Sequence, residues 1–435
     1  MLHKTVTNWG QYPAIKANVT ESADLTEIKS FVRDQASVIA RGNGRCYGDS
    51  SLNANIFSTL RLNRFLSFDT ETGILECESG VLLADILNVG VSKGFFLPVT
   101  PGTKFITLGG AIAADVHGKN HHCEGSFADH VIEIKLLTAD GETLDCSKVE
   151  NADLFWQTCG GMGLTGIILS AKIKLKPVDT SYISQISEKA NDIDAVMRLF
   201  EASGDQTYSV AWLDCFAKKR NLGRSVLMTG EHSRISELPP NQQADPLKLA
   251  SEKSKNIPFN LPAISVNYLS VKALNFLYYH KQLKRRAESV VHFDTFFYPL
   301  DGIHNWNRAY GKPGFVQYQF VLPMADSHDG LVKILEKIAR SRQGSPLAVL
   351  KLFGKPNPNA VMSFPIEGYT LALDFKVNPQ VFRLLDDLDE VVLKHKGRIY
   401  LAKDARMSAA TFHESYSKIV PSGKFESAQS TRLAY

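Results

Sequence analysis

Glycine gathers in three short clusters over the first 170 residues, and this limits the folds open to the chain. The first cluster is Arg41-Gly42-Asn43-Gly44-Arg45-Cys46-Tyr47-Gly48-Asp49, directly after the apolar run SVIA. Its glycines allow positive φ, so successive N–H groups can converge on phosphate oxygens without a side-chain charge. No Gly-Lys-Ser/Thr follows, so it is not a Walker loop, and its third glycine is misplaced for G-x-G-x-x-G. The second cluster runs from Pro101-Gly102-Thr103 to Gly109-Gly110, followed by the small Ala111, Ala113 and Ala114. Small residues let a flat ligand or a pyrophosphate approach the backbone, and a helix start there favours an anion. The third is Cys159-Gly-Gly-Met-Gly163-Leu-Thr-Gly166-Ile167, leading into a strand. Taken singly, each cluster also fits a structural turn or tight helix packing.

A chain of 435 residues is too long for one ordinary core, so two domains are expected. Up to about Val178, SVIARGNG, GILECESG, HVIEIKLLTADG and GIILSAKIKLKPV read as strands meeting turns. Residues 80–94 and the segment NADLFWQTCGG read as helices. Beyond Val178 the glycines thin out. Residues 233–256 are rich in Pro, Gln, Ser and charge without a period, which predicts a mobile loop. A helix is expected in VNYLSVKALNFLYYHKQLKRR, and another over 377–396 with Gly397 as its stop. The excess of 49 basic over 45 acidic residues is too small to argue for nucleic acid. There is no apolar run long enough to span a bilayer and no secretory leader pattern. Six cysteines without C-x-x-C spacing fit free thiols in a reducing compartment.

Three later segments share an alternation. In GFVQYQFVLP, Gln317 and Gln319 oppose Val316, Tyr318 and Phe320. In LAVLKLF, Lys351 lies opposite Leu350 and Leu352; in YTLALDF, Thr370, Ala372 and Asp374 oppose Leu371, Leu373 and Phe375. Period two places these polar residues on one face of a sheet, which is either a site or a wet surface. His117, His121 and His122 cluster around Lys119, but no acidic partner stands at a metal-binding spacing, so no metal is expected. One of these histidines, or Lys119, beside a redox group is the better reading.

Together, in this order, the glycine segments resemble the vanillyl-alcohol-oxidase superfamily, with its PCMH-type FAD-binding domain. VTPGT, GGAIAADVHGKNHH, DLFW, GLTGII, NRAYGKPGFVQYQF, LKLFG and Tyr400-Leu-Ala-Lys403-Asp-Ala-Arg406 resemble, through most of the chain, the oxidase subunits of decaprenylphosphoryl-β-D-ribose 2′-epimerase. The resemblance implies an α+β fold: a FAD-binding domain over 1–176, a substrate domain over 177–397 built on an antiparallel sheet with flanking helices, and a segment over 398–435 returning to the first domain. It implies FAD contacts from Arg41 through Gly48, from Pro101, Gly102, Thr103, Gly109, Gly110 and Ala114, from His117, Gly118 and Asn120, and from Gly163, Gly166, Ile167 and Tyr400. It implies catalytic roles for His117, Tyr400 and Lys403, and substrate contacts from Lys119, Gln317, Gln319, Lys351, Thr370 and Lys403, with Arg308 a further candidate for a phosphate. Members oxidise the ribose 2′-hydroxyl of a polyprenyl-phosphate sugar, and a separate short-chain reductase completes the inversion to arabinose. The resemblance admits such a partner here, and a cytoplasmic protein with a peripheral contact at the inner membrane. The first loop has no histidine, so FAD attachment through it is excluded. Mycobacterial members carry cysteine where this chain has Ala372, so a thiol-directed inhibitor would lack its target. Two other readings stand beside this one: a soluble sugar, alditol or aldonolactone oxidase, and a flavin-binding partner subunit without turnover.

Overall fold

The computed structural model describes residues 2–249, 254–262 and 264–435. It is an α+β protein with two sheet systems on either side of one cavity. On the first side, strands Leu2–Thr7, Ala14–Glu21, Asn55–Ser58 and Ile39–Arg41 form a small mixed sheet. Phe65–Asp69, Ile74–Glu78, Ile167–Lys174, Val131–Leu137 and Thr143–Ser147 form an antiparallel sheet beside it. The glycine-bounded strands read from sequence are all present. The helix expected over 80–94 spans Leu83–Val91, burying Leu83, Ile86, Leu87 and Val91 at three- and four-residue spacing.

The second side is an eight-stranded sheet in which every pairing is antiparallel. Its order is Arg286–His292, Tyr182–Ala190, Ser225–His232, Tyr208–Leu213, Ala348–Phe353, Gly368–Lys376, Phe315–Pro323 and Arg398–Ile399. Helices Met324–Ser341 and Pro379–Lys394 cover one face, burying Leu331, Ile334, Leu335 and Ile338 from the first and Val381, Leu384, Leu385 and Leu388 from the second. These pack against Val316, Phe320, Leu350, Leu371 and Leu373, the apolar members of the alternating strands. The opposite face is thereby left to line the cavity.

Two details differ from expectation. The helix Pro379–Lys394 is closed by Lys396, which takes φ +55°; Gly397 serves close packing instead, since a Cβ there would lie 2.4 Å from the Val321 carbonyl oxygen. The 233–256 stretch is not featureless. It holds short helical turns at Ile235–Glu237 and Pro240–Gln243, the Pro246 carbonyl accepts from Ser181 N, and Leu247 and Leu249 rest against the core. Residues 250–253 lie outside the described residues.

After Ile399 the chain crosses back to the first side. Ala402 O accepts from Tyr47 N, and Phe425 bridges Val38. Arg432 reaches Asp49 at 2.9 Å and Asp404 at 2.7 Å, tying the tail to the first glycine loop. Gly48 is required at this crossing: a Cβ would sit 1.7 Å from the Asp404 carbonyl oxygen.

Candidate active site

One cavity lies between the two systems and is lined by both. One wall is backbone. Gly42, Asn43, Gly44, Arg45, Cys46 and Tyr47 line it after the strand Ile39–Arg41; Pro101, Gly102, Thr103, Gly109, Gly110 and Ala114 follow, then Gly163 and Gly166. Thr107 caps the short helix Leu108–Ala113, accepting from Gly110 N. The facing wall is side chains: Gln317, Gln319, Lys351 and Ala372 from adjacent strands, with Tyr400 and Lys403 from the returning tail. Strand register makes neighbours of Gln319 and Ala372, of Gln317 and Asp374, and of Lys351 and Thr370.

His117 sits where the walls meet, and a hydrogen-bond chain sets its protonation. Thr370 Oγ1 donates its one hydrogen to Phe320 O at 2.8 Å, so it must accept from Gln319 Nε2 at 3.1 Å. That orients the Gln319 amide with its nitrogen toward His117 Nε2, 3.0 Å away. His117 Nε2 therefore accepts, and the ring is the neutral Nδ1–H tautomer. Burial, then Lys351 nearby, holds its pKa well below 6.5, in agreement. Among the described residues, neither its buried Nδ1 nor the buried Ser79 hydroxyl, which also lines the cavity, makes a hydrogen bond.

Three lysines converge on this space. Burial lowers Lys119 to about 7, with Lys351 adding to the effect. Lys351 is lowered to about 8 by burial and has no hydrogen-bond or ion-pair partner among the described residues. Burial lowers Lys403 to about 7 against the opposing pull of Asp374; its Nζ lies 4.0 Å over the Tyr47 ring. Asp374 is itself raised to about 7 by burial, although Gln317 Nε2 donates to its Oδ1 at 2.5 Å. Buried amines with so few anionic partners are prepared for an anionic or strongly polar ligand.

Some expected contacts lie behind the wall. The Arg41 guanidinium bonds Asn8 Oδ1 and Thr7 O. Gly118 and Asn120 support the second cluster, Asn120 Nδ2 donating to Pro98 O. Ile167 is core, and Thr370 acts through Gln319. The Tyr400 hydroxyl is committed to Ala114 O at 2.8 Å, so it joins the walls rather than holding a free proton. Arg308 donates to Ile257 and Pro258 carbonyls and does not line the cavity. His117 and His121 both pack on Phe353, whereas His122 turns away and its Nε2 bonds Gln206 O. Lining residues absent from the sequence reading include Ser79, Thr107, Trp212, Tyr278 and Asp301.

A family model described as a FAD binding domain matches residues 13–147, which carry the first two glycine clusters. The chain is 37% identical to decaprenylphosphoryl-beta-D-ribose oxidase of Mycolicibacterium smegmatis, over 99% of this chain and 97% of that protein. The chain belongs to the decaprenylphosphoryl-β-D-ribose oxidase family. More distantly, L-gulonolactone oxidase of Mus musculus is 27% identical over 45% of this chain and 46% of its own. This family member is a FAD-dependent oxidoreductase. Its backbone wall fits the cofactor. A Cβ at Gly42 would strike Thr107 Oγ1 at 2.2 Å, while one at Gly102, which lines the cavity, would meet no atom within 4 Å. Ser79 Oγ and His117 Nδ1 are buried polar atoms in the same walls that make no hydrogen bond among the described residues.

Proposed function

We propose that this family member oxidises the 2′-hydroxyl of a ribose carried on a polyprenyl phosphate, giving the 2′-keto sugar as the first half of an epimerisation to arabinose. In this reading 1–176 bind FAD, 177–397 bind the substrate and 398–435 return to the first domain. Lys119, Gln317, Gln319, Lys351 and Lys403 form the substrate side, with Thr370 behind them orienting Gln319. The observation that carries it is the set of buried lysines facing a backbone wall, next to an apolar lobe of Val210, Trp212, Met228, Tyr278 and Val349. The Lys351 ammonium suits a phosphate, and the lobe suits a hydrocarbon chain; a free alditol would need neither. The near full-length likeness to an enzyme named for this sugar supports the same choice. A short-chain reductase that takes up the keto sugar, and a peripheral contact with the inner membrane, belong to this reading.

Bound FAD supplies the acceptor for the hydride leaving the carbinol carbon. The chain must orient that C–H bond and take the hydroxyl proton. Lys403, lowered to about 7, takes the proton in its neutral form, and Asp374 then faces the new ammonium. His117 keeps Nε2 occupied by Gln319, so it offers Nδ1–H as a donor and does not serve as the base. Tyr400 holds the tail that presents Lys403.

The test is the anaerobic flavin absorbance of the purified protein, before and after a polyprenyl-phosphoryl ribose analogue. Bleaching with this analogue is expected. Bleaching with a free alditol instead would move the assignment to a soluble oxidase, and no bleaching with any sugar would favour the partner-subunit reading.

A further inference from the structure

The apolar surface of this protein is unevenly distributed. Helix Tyr268–Lys281 and its flanks leave Ile264 (78%), Leu269 (73%), Leu274 (51%), Phe276 (51%), Leu277 (65%) and Leu283 (92%) exposed. The helix is held down by one narrow face only. Val271, Asn275 and Tyr279 recur every four residues and are buried; Asn275 Nδ2 donates to Asp214 Oδ1, and the Tyr279 hydroxyl donates to Ala190 O. On a 100° helical wheel, Leu277 falls opposite these anchors and Leu269, Leu274 and Phe276 flank it, with His280, Ser270 and Lys281 among them. Water is a poor neighbour for so many exposed apolar side chains on one helix and its flanks, and their concentration here marks a binding surface.

Charge narrows the occupant. Between Ser254 and Ala287 the sequence has six Lys or Arg (Lys255, Lys272, Lys281, Lys284, Arg285 and Arg286) and no Asp or Glu. The whole chain carries a net +4, so the remainder is slightly acidic and the basic excess belongs to this stretch. Arg286 is partly engaged by Glu188 and Glu288, while Lys281, Lys284 and Arg285 are exposed and in no ion pair among the described residues. Apolar residues flanked by lysine and arginine match a lipid surface with anionic headgroups, where the rings and leucines enter the acyl boundary and the cations meet phosphate. Position agrees with this occupant. Tyr278, on the same helix, lines the cavity and tilts against Trp212 with ring centroids 4.4 Å apart, so the apolar lobe lies directly beneath the helix.

We infer that helix Tyr268–Lys281 with its basic flank docks on an anionic bilayer, and that a lipid-linked substrate passes from the bilayer under this helix into the apolar lobe. The inference rests on the preceding reading for the delivered chain, but its test reads the surface by itself. FAD-loaded full-length protein is floated with phosphatidylcholine vesicles, with and without phosphatidylglycerol. Wild type is expected to float with the anionic vesicles and to be released by salt. F276S/L277S is expected to bind roughly ten-fold or more weakly, the scale of withdrawing two large apolar side chains from lipid. K281E/K284E/R285E is expected to lose on the order of 100-fold on anionic vesicles, with little change on neutral ones. Both variants keep the buried anchors, and retained flavin content verifies their fold. Wild type left unbound at low salt overturns the inference, as does equal binding by both variants. A wild-type dimer that F276S/L277S dissociates overturns it too, by assigning the patch to a second copy. Vesicle binding without flavin bleaching leaves the surface standing and removes the substrate reading.

Discussion

The two walls of the cavity are built by different means. The cofactor side presents peptide groups and the space left by missing side chains: Gly42 against Thr107, Gly102 open to the cavity, Gly109 against Ser79. The sheet side presents long side chains whose charge is held back by burial, namely Lys351 and Lys403 with Asp374. Backbone recognition tolerates no added atom and has no proton to give. Side-chain recognition tolerates substitution geometrically but depends on protonation. The first wall suits a constant partner, and the second suits a reaction in which a proton must move.

Four measurements can break or sharpen that contrast. The largest effect is expected from K403M, which keeps the stem and removes the amine. FAD content should stay near normal while substrate-driven flavin reduction falls roughly 10²–10⁴-fold, the usual contribution of a positioned acid or base. Lost FAD with normal reduction in the remaining holoenzyme would reverse the roles of the walls.

R432L should act through assembly rather than chemistry. It leaves Asp49 and Asp404 buried without their cation, a loss of about 3–5 kcal/mol. Denaturant unfolding should show that loss, with the tail and Lys403 released from the first loop. Unchanged stability would mean that the tail is held by its backbone contacts alone.

The pH dependence is intermediate in size. Lys403 accepts a proton only when neutral, so reduction should rise as pH increases through about 7 and level off above it. Asp374 raises the Lys403 pKa, so D374N should move the inflection to lower pH. His117 is held neutral well below 6.5 and should add no step of its own near that pH. An inflection that ignores D374N would place the proton acceptor elsewhere.

T370V should have the smallest effect. It frees the Gln319 amide to turn, so His117 should lose its single tautomer, visible in histidine ¹⁵N shifts with or without substrate. Rate should fall by less than roughly ten-fold, since an intact donor persists in part of the population. An unchanged ¹⁵N spectrum would show that Gln319 is oriented by something other than Thr370.

Legibility differed between the walls for a physical reason. Glycine clusters mark possible close backbone approach, and period two puts Gln317, Gln319 and Lys351 on one strand face, but pattern alone left a wet surface equally open and the family resemblance tipped the reading to a site. Asp374 stood on the polar face in the same alternation, but a lone carboxylate gives no sign that it will be buried opposite a lysine. Ser79, Thr107, Trp212 and Tyr278 carried no periodic signal, because each enters the cavity from a different element. The exposed helix was legible as a helix, but not which of its apolar residues stay exposed, since apolar residues occur all round it.

By itself the sequence determined the elements, the backbone wall and which side chains share a strand face, all of which are local consequences of glycine content and periodicity. Only the tertiary structure decided what those side chains are chemically. Packing of the two sheet systems and the returning tail around one cavity buries Lys403, Asp374 and His117, and an ionisable group takes its protonation from the solvent and charges around it rather than from its neighbours in the chain.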